Sequence, residues 1–490
     1  MKNDKLQPLA NSEKDLEDLF AKRPQIIKPG LERIRAAWEF LRMDRYKLKV
    51  ILVAGTNGKG STAGTLWHLL AGLNIRIGLF TSPHLCCFSE RFQCSQAPIK
   101  LEYILKSLHS LSQELPKDLY DDLSFFDTST LLAIKLFEEL ACSIAIFEVG
   151  LGGRWDSTNI LSPLLSVISS IDKDHESWLG HEFWQIASEK LGICREKTPL
   201  FWGEPATAAK KLQETLASKQ TKLALPVFAI NKNFGRLNSE EGFIDLCGND
   251  HQRYAFPRWV ANSSEILQQN FCLAFAIFAW LLKNYPSINP AKKSHYNYTE
   301  TVQKALEQFG APHIPWPNSL LGRFQFLKLT QKVKTEAELN LKKSSLPSLY
   351  TGILDVCHNP AACNQFVKTL EKIIPNLKQN NHCLGFVSIL ADKNYDLMLD
   401  ILKDFLNPLL LVRGASRRSF HADLLAARHK DLLMFDRFSH AWDYAKEHYL
   451  DRGQTFTVCG SFLIVGEVIN HFSAFPQNEQ LEQNLHGTLP

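Results

Sequence analysis

The segment Val50-Ile51-Leu52-Val53-Ala54-Gly55-Thr56-Asn57-Gly58-Lys59-Gly60-Ser61-Thr62 constrains this chain more than any other. Its first five residues are mostly β-branched or Leu, the pattern of a strand buried on both faces. A glycine-rich turn follows, and Thr62 to Leu73, free of Pro, reads as a helix. In that order, strand, turn and helix aim backbone N–H groups from the positive end of a helix at a polyphosphate, and Lys59 adds a mobile charge for the outer phosphates. Gly60 stands between Lys59 and Ser61, so the spelling departs from the commonest phosphate-loop pattern. A strand-to-helix turn whose glycines only permit tight packing stays open as the alternative.

At 490 residues the chain is too long for one ordinary core, and two or three domains are expected. Its 55 basic and 51 acidic residues nearly balance, with no dense Lys/Arg stripe, which argues against nucleic acid as the main partner. The 11 cysteines are odd in number, irregularly spaced and contain no CxxC pair, so neither a zinc site nor a disulfide framework is indicated. The first residues carry no apolar core of a signal peptide, and the longest apolar run, Phe271 to Leu282, is short for a bilayer span. A cytoplasmic protein with no membrane partner is the expectation.

Along the chain, Ser12 to Met43 predicts two helices broken at Pro29-Gly30. Strands are predicted at Ile75–Phe80, Ile144–Val149, Leu165–Ile171 and Leu200–Trp202, with helices around Thr130–Leu140, through Lys190 and from Asn262 to Asn284; Thr207 to Phe256 stays unassigned. Beyond Trp316-Pro317-Asn318 the alternation restarts, with strands near Ile353–Cys357, Leu384–Ile389, Leu409–Val412 and Phe456–Cys459. The fold class is therefore α/β: a doubly wound, mostly parallel sheet domain over residues 1–318, then a smaller Rossmann-like domain over 319–475. Residues Thr330 to Ser348 read as an exposed insertion and 476–490 as a disordered tail.

In open α/β sheets ligands collect beyond the carboxyl ends of the strands. The polar residues falling there are Ser61, Ser82, Glu148 and Asp174-His175, a hydroxyl, carboxylate and imidazole set suited to a Mg²⁺ beside phosphates, although His is a less usual Mg²⁺ ligand. Singly, Glu148 reads as well as a surface carboxylate and His175 as a capping or core histidine. Lys190, judged on physics alone, reads as a solvated helix-face residue. Cys86, Cys87 and Cys94 lack a neighbouring base and read as structural thiols, and Phe125-Phe126 is by burial preference more often core than ligand platform.

Taken together, AGTNGKGST from Ala54, TSPHL from Thr81 with Glu90-Arg91, EVGLGGRWDSTN from Glu148, DHESWLG from Asp174, EKLGI from Glu189, GRFQ from Gly322, DVCHNP from Asp355, Asp392-Lys393 and VCGSF from Val458 resemble the folylpolyglutamate synthase and dihydrofolate synthase family of the Mur ligase superfamily, in its bifunctional bacterial form. The resemblance implies that Asn57, Gly58, Lys59, Gly60 and Ser61 hold ATP phosphates, with Asn270, Arg323 and Asp355 as further nucleotide contacts. It implies Ser82, Glu148 and His175 as Mg²⁺ ligands and Lys190 as a carbamylated lysine whose new carboxylate binds metal, overturning the bland reading of that lysine. Ser124, Phe125, Phe126, Trp155, Asp156 and Ser157 match positions that line the pterin pocket. Departures are Asp127 for a common Glu, Cys357 for a small Ala, Asn394 for a second Asp, and the Cys86-Cys87 pair.

The expected function is an ATP-dependent ligase adding L-glutamate to 7,8-dihydropteroate and to folate polyglutamates through an acyl phosphate. Lys59 and Lys190 are the expected catalytic residues, with His358 orienting or deprotonating the amine. ATP, Mg²⁺ and a monovalent cation are the expected cofactors, and a monomer the expected state. The alternatives are an enzyme that only extends folates, a Mur-type ligase of a cell-wall precursor, or a non-catalytic nucleotide binder.

Overall fold

The computed structural model describes residues 16, 30–73, 75–95, 99–204, 210–237, 243–246, 252–255, 260, 264–285, 298–309, 322–323, 325–331, 348–374, 383–413, 432–450, 455–474 and 479–484. The chain divides into two units, 1–257 with 265–320, and 258–264 with 321–490. The first of the two expected N-terminal helices, the 318/319 boundary and most of the Thr330–Ser348 insertion lie outside the described residues.

The first unit is built on β1 (Lys49–Ala54), β2 (Ile77–Phe80), β3 (Phe92–Cys94), β4 (Ile144–Glu148), β5 (Pro163–Ile168), β6 (Leu200–Trp202) and β7 (Val227–Ala229), in the order β3-β2-β4-β1-β5-β6-β7. All neighbours are parallel except β2 and β3. Val50 to Ala54 of β1 are all buried, which is why the run reads as continuously apolar rather than alternating. Each such Val, Ile or Leu contributes about 1.5–3 kcal/mol of burial. Because β1 lies between β4 and β5, the loops that leave the carboxyl ends of these three strands are neighbours: Gly55–Gly58, Val149–Asp156 and Ser169–His175. A separate antiparallel sheet, β8 (Gly235–Leu237), β9 (Phe243–Leu246) and β10 (Gln252–Ala255), occupies part of the stretch the sequence left unassigned.

The helix Glu265–Asn284 is long and apolar enough to cross a bilayer by composition, longer than the 12-residue run read from sequence, and 72% of its most apolar window is buried inside the molecule. It serves as a core helix, with Phe271 and Phe275 fully covered.

The second unit carries β11 (Gln325–Gln331), β12 (Ser348–Asp355), β13 (Leu384–Val387), β14 (Leu409–Val412), β15 (Leu433–Phe435), β16 (Thr455–Cys459) and β17 (Glu479–Asn484), in the order β15-β14-β13-β16-β12-β11-β17. The pairs β11–β12 and β11–β17 are antiparallel, the rest parallel. Within the stretch 476–490 read as a tail, the described residues Glu479–Asn484 form β17, paired antiparallel with β11.

Candidate functional site

The phosphate loop folds as its residue types require. Gly58 takes φ +80°, where a side chain would be strained, and a Cβ there would also clash with the Asn270 side-chain amide. The helix Lys59–Ala71 starts immediately after, three residues before the Thr62 start read from the sequence. Asn57 is held to the β5 side of the sheet: its N–H donates to Ser170 Oγ at 2.9 Å, and its carbonyl accepts from Ser169 Oγ at 2.7 Å and Ser170 Oγ at 2.9 Å. Thr56 Oγ1 and the Asp172 backbone exchange two 2.9 Å hydrogen bonds. Gly60 and Ser61 are buried in the first helical turn. Asn270 comes to the loop from the long apolar helix, its Oδ1 accepting from Thr62 Oγ1 at 3.4 Å, and its buried Nδ2 has no hydrogen-bond partner among the described residues. Such a donor, beside a helix N-terminus and an ammonium, fits a phosphate oxygen.

Two ammonium groups meet at one carbonyl. Lys59 Nζ donates to Gly55 O and Thr56 O, both at 3.0 Å, and Lys190 Nζ donates to the same Gly55 O at 2.9 Å. Lys190 ends the helix Phe183–Lys190 and is 4% exposed, so the solvated-face reading is corrected. Burial, and then the positive charge of Lys59, push its amine down to about 7, against the opposing pull of Asp174 and Asp156. The glycines of LGGR make this approach possible: a Cβ on Gly153 would lie 2.8 Å from Lys190 O and 2.9 Å from Glu189 O.

Ser82 and Glu148 are brought together, Ser82 N–H donating to Glu148 Oε2 at 3.0 Å, with the carboxylate only 4% exposed. His175, at φ +53°, is held apart from full burial, with Nε2 3.9 Å from Asp174 Oδ2. Among the described residues no three His, Cys, Asp or Glu side chains gather as a ready-made metal cage. Mg²⁺ rarely uses one; it takes one or two carboxylates, then waters and phosphate oxygens. A buried carboxylate with a serine bound to it, beside a phosphate loop, fits that habit.

The loop after β2 is half-buried and tied together by its own hydrogen bonds. Glu90 accepts from the backbone N–H groups of Leu85, Cys86 and Cys87 at 2.8, 2.9 and 3.0 Å. Arg91 Nε donates to His84 Nδ1 at 2.9 Å, and burial followed by the Arg91 charge drives His84 down to about 3, so it remains a neutral acceptor. Cys86 is pushed up to about 12 by burial and then Glu90, in keeping with a structural thiol.

The pterin-side candidates resolve into two kinds. Phe126 meets Phe80 at 5.8 Å between centroids, and Phe125 meets Phe88 at 5.6 Å and the Arg91 guanidinium at 5.1 Å, so both rings belong to an aromatic cluster while keeping a half-buried face. Trp155 is 52% exposed, at the surface of its loop rather than filling a cavity. Asp156 shapes that loop, accepting from Leu151 N at 2.9 Å, Thr158 N at 3.0 Å and Thr158 Oγ1 at 2.6 Å.

Asp127 proves to be a hub. Its carboxylate, 1% exposed, accepts from Ser124 N and Oγ at 3.0 and 2.7 Å, Arg33 Nε at 3.3 Å and Ser157 Oγ at 2.6 Å. It thereby joins the helix Glu32–Phe40, the first turn of the helix Phe125–Glu139 and the turn Ser157–Ile160. The sequence had marked Asp127 only as a departure beside the pocket; its capping-box spacing from Ser124 was the available signal. Asp127→Ala is expected to lower stability by about 3 kcal/mol, because the four hydrogen bonds that converge on this buried carboxylate from Ser124, Arg33 and Ser157 are lost together. Urea unfolding measures it, and a loss below about 1 kcal/mol, the worth of one ordinary hydrogen bond, would deny the hub.

In the second unit, Asp355 ends β12 with Oδ1 accepting from Cys357 N at 2.8 Å, and Asn359 Oδ1 caps the next helix through Ala362 N at 2.9 Å. His358 lies between them. Cys357 packs against Cys363, whose Sγ donates to Cys357 O at 3.2 Å. Arg323 follows Gly322, whose N–H donates to Gln325 Oε1 at 2.9 Å and whose carbonyl accepts from Val356 N at 3.0 Å.

No family model matches the chain. It is 30% identical over 373 residues to the dihydrofolate synthase/folylpolyglutamate synthase of Haemophilus influenzae, spanning 75% of each. To the Escherichia coli protein of the same description it is 28% identical over 472 residues, 95% of this chain and 96% of that one. A solved bifunctional folylpolyglutamate synthase/dihydrofolate synthase from Yersinia pestis matches with TM-score 0.71 at 26% identity, covering 95% of this chain and 100% of the other. A second structure from that organism, complexed with AMPPNP and a Mn ion, matches with TM-score 0.71 at 25% identity over 96% of this chain and 100% of the other.

Proposed function

Because the chain belongs to the dihydrofolate synthase/folylpolyglutamate synthase family, and so is an ATP-dependent ligase that joins L-glutamate to a pteroate or folate carboxylate, we propose a division of labour among its residues. The observation that supports it is that Lys59 and Lys190 meet at Gly55 of the phosphate loop, while the Ser82–Glu148 pair lies at the carboxyl ends of the neighbouring strands β2 and β4. The loop residues Asn57 to Ser61, with the Lys59 ammonium and the Asn270 amide, bind the ATP phosphates. Ser82, Glu148, His175 and a carbamylated Lys190 hold Mg²⁺, which when bound neutralises phosphate charge. Arg323 and Asp355 supply further nucleotide contacts, and Phe125 and Phe126, in the first turn of the helix capped by Ser124, together with Trp155, on the loop shaped by Asp156 and Ser157, offer aromatic surface to the pterin.

The γ-phosphoryl group passes to an oxygen of the acceptor carboxylate, and ADP leaves. The glutamate amine then attacks the carbonyl carbon of the acyl phosphate, and the tetrahedral intermediate collapses to the amide with loss of phosphate. His358 orients the amine or takes its proton. The residues mainly position reactants and neutralise charge, which suffices for phosphoryl transfer. The ten described cysteines are free thiols, which supports a reducing cytoplasm; a monomer is proposed with it.

The test is purified protein with Mg²⁺, ATP and glutamate, given either 7,8-dihydropteroate or a reduced folate monoglutamate. Phosphate release with both is expected. Release with the folate alone would leave an extension-only enzyme, and with dihydropteroate alone a dedicated dihydrofolate synthase.

A further inference from the structure

The VCGSF motif ends in a residue to which the reaction scheme gives no task. Gly460, at φ +104°, turns the chain beyond β16, where a Cβ would lie 2.6 Å from Ser388 O. Ser461 is fully buried, and its Oγ accepts from Ile464 N at 3.3 Å, capping the helix Phe462–Ala474. Phe462 is thereby fixed at the first helical position. Cys459 lies in register with Asp355 on the neighbouring strand β12, which sets the turn after β16 beside the DVCHNP turn.

Phe462 meets two of the expected site residues at once. The Arg323 guanidinium lies 5.0 Å from the centroid of its ring, and the His358 imidazole 5.6 Å from it at an interplanar angle of 48°. The three residues come from three segments of sequence, each anchored through its backbone: Gly322 to Val356 and Gln325, Cys357 to Asp355, and Ser461 to Ile464. A guanidinium on a long stem has many rotamers, and an aromatic face restricts it by attraction to the ring quadrupole.

We infer that Phe462 is a positioning residue for the ligase reaction: one ring holds the Arg323 guanidinium and the His358 imidazole at a fixed separation, so that charge neutralisation and amine handling stay aligned. This rests on the proposed function, and it adds a residue that acts through two others rather than on substrate.

The ring is the tested feature, so Phe462→Leu, which keeps most of the volume, is compared with Phe462→Tyr, which keeps the aromatic face. Phe462→Leu is expected to lower kcat about tenfold, the loss of one half-buried cation–π contact, with KM for the folate unchanged. Phe462→Tyr is expected to stay within about twofold of the wild type. In an Arg323→Ala background Phe462→Leu is expected to add less than a further threefold, because residues acting as a unit are not additive. Equal losses in the Leu and Tyr variants, or a full tenfold effect without Arg323, would reduce Phe462 to a packing residue. An active wild type with an unaffected Leu variant overturns the inference alone. A wild type that releases no phosphate with glutamate overturns the ligase reading and the inference with it.

Discussion

Lys59→Ala is expected to lower kcat for glutamate-dependent phosphate release by about 100-fold or more, with little change in thermal stability. The size follows from what one positioned charge does for a transition state in a water-excluded site, about 3 kcal/mol. The tolerance of the fold follows from geometry. Lys59 Nζ meets the carbonyl oxygens of Gly55 and Thr56, and the first of these still receives Lys190 Nζ at 2.9 Å when Lys59 is gone. Where Lys190 is the unmodified amine, removing the positive charge next to it also relieves repulsion, since Lys59 helps to push that amine down. Steady-state kinetics with a melting curve measures both. Activity within about threefold of the wild type would remove the phosphate loop from the mechanism.

Lys190→Ala is expected to cost about 100-fold or more in kcat, with partial restoration by a short carboxylate such as acetate. The chemistry comes from the environment of the amine. Carbon dioxide reacts with a neutral amine, releasing a proton as the N–C bond forms, and an ordinary lysine near 10.5 is almost wholly protonated at neutral pH. Burial, and secondarily Lys59, bring Lys190 down to about 7, so a large share is neutral in the physiological range. The resulting carboxylate replaces a cation beside Lys59 with an anion, which the Lys59 charge favours.

The sign of the pH effect follows. Below about 7 the amine is protonated and carbamate is lost, so wild-type activity is expected to fall as pH drops through that value. The acetate-supported Lys190→Ala protein should lack that limb. Native mass spectrometry in bicarbonate buffer is expected to show one added carbon dioxide on the wild type and none on the variant. A fully active protein bearing an unmodified amine would contradict the assignment.

Much of the fold was legible because its determinants are local. The β1 run, the strands Leu200–Trp202 and Leu409–Val412, and the helix ending at Asn284 were readable from apolar runs and turn residues. Errors fell at the ends. The helix read from Thr130 starts at Phe125, because the Ser124–Asp127 capping box sets its first turn ahead of the apolar run. The small β8–β10 sheet was missed, since its three- and four-residue strands are too short to show a period. Polar β17 gave no apolar alternation to read, and only its pairing with β11 makes it a strand.

By itself the sequence determined the strand–turn–helix that opens the phosphate site, the order of α and β elements, and the glycines that such a turn requires, all set by backbone sterics and by periodicity within a few residues. Tertiary structure alone decided the state of the side chains around that turn. Lys190 reaches Gly55 across 135 residues, Arg33 reaches Asp127 across 94, and Ser157 reaches it across 30. Whether a lysine is a solvated ammonium or a buried amine near neutrality depends on how much water and which charges surround it. Those are set by the order β2-β4-β1-β5, which brings together loops distant in sequence.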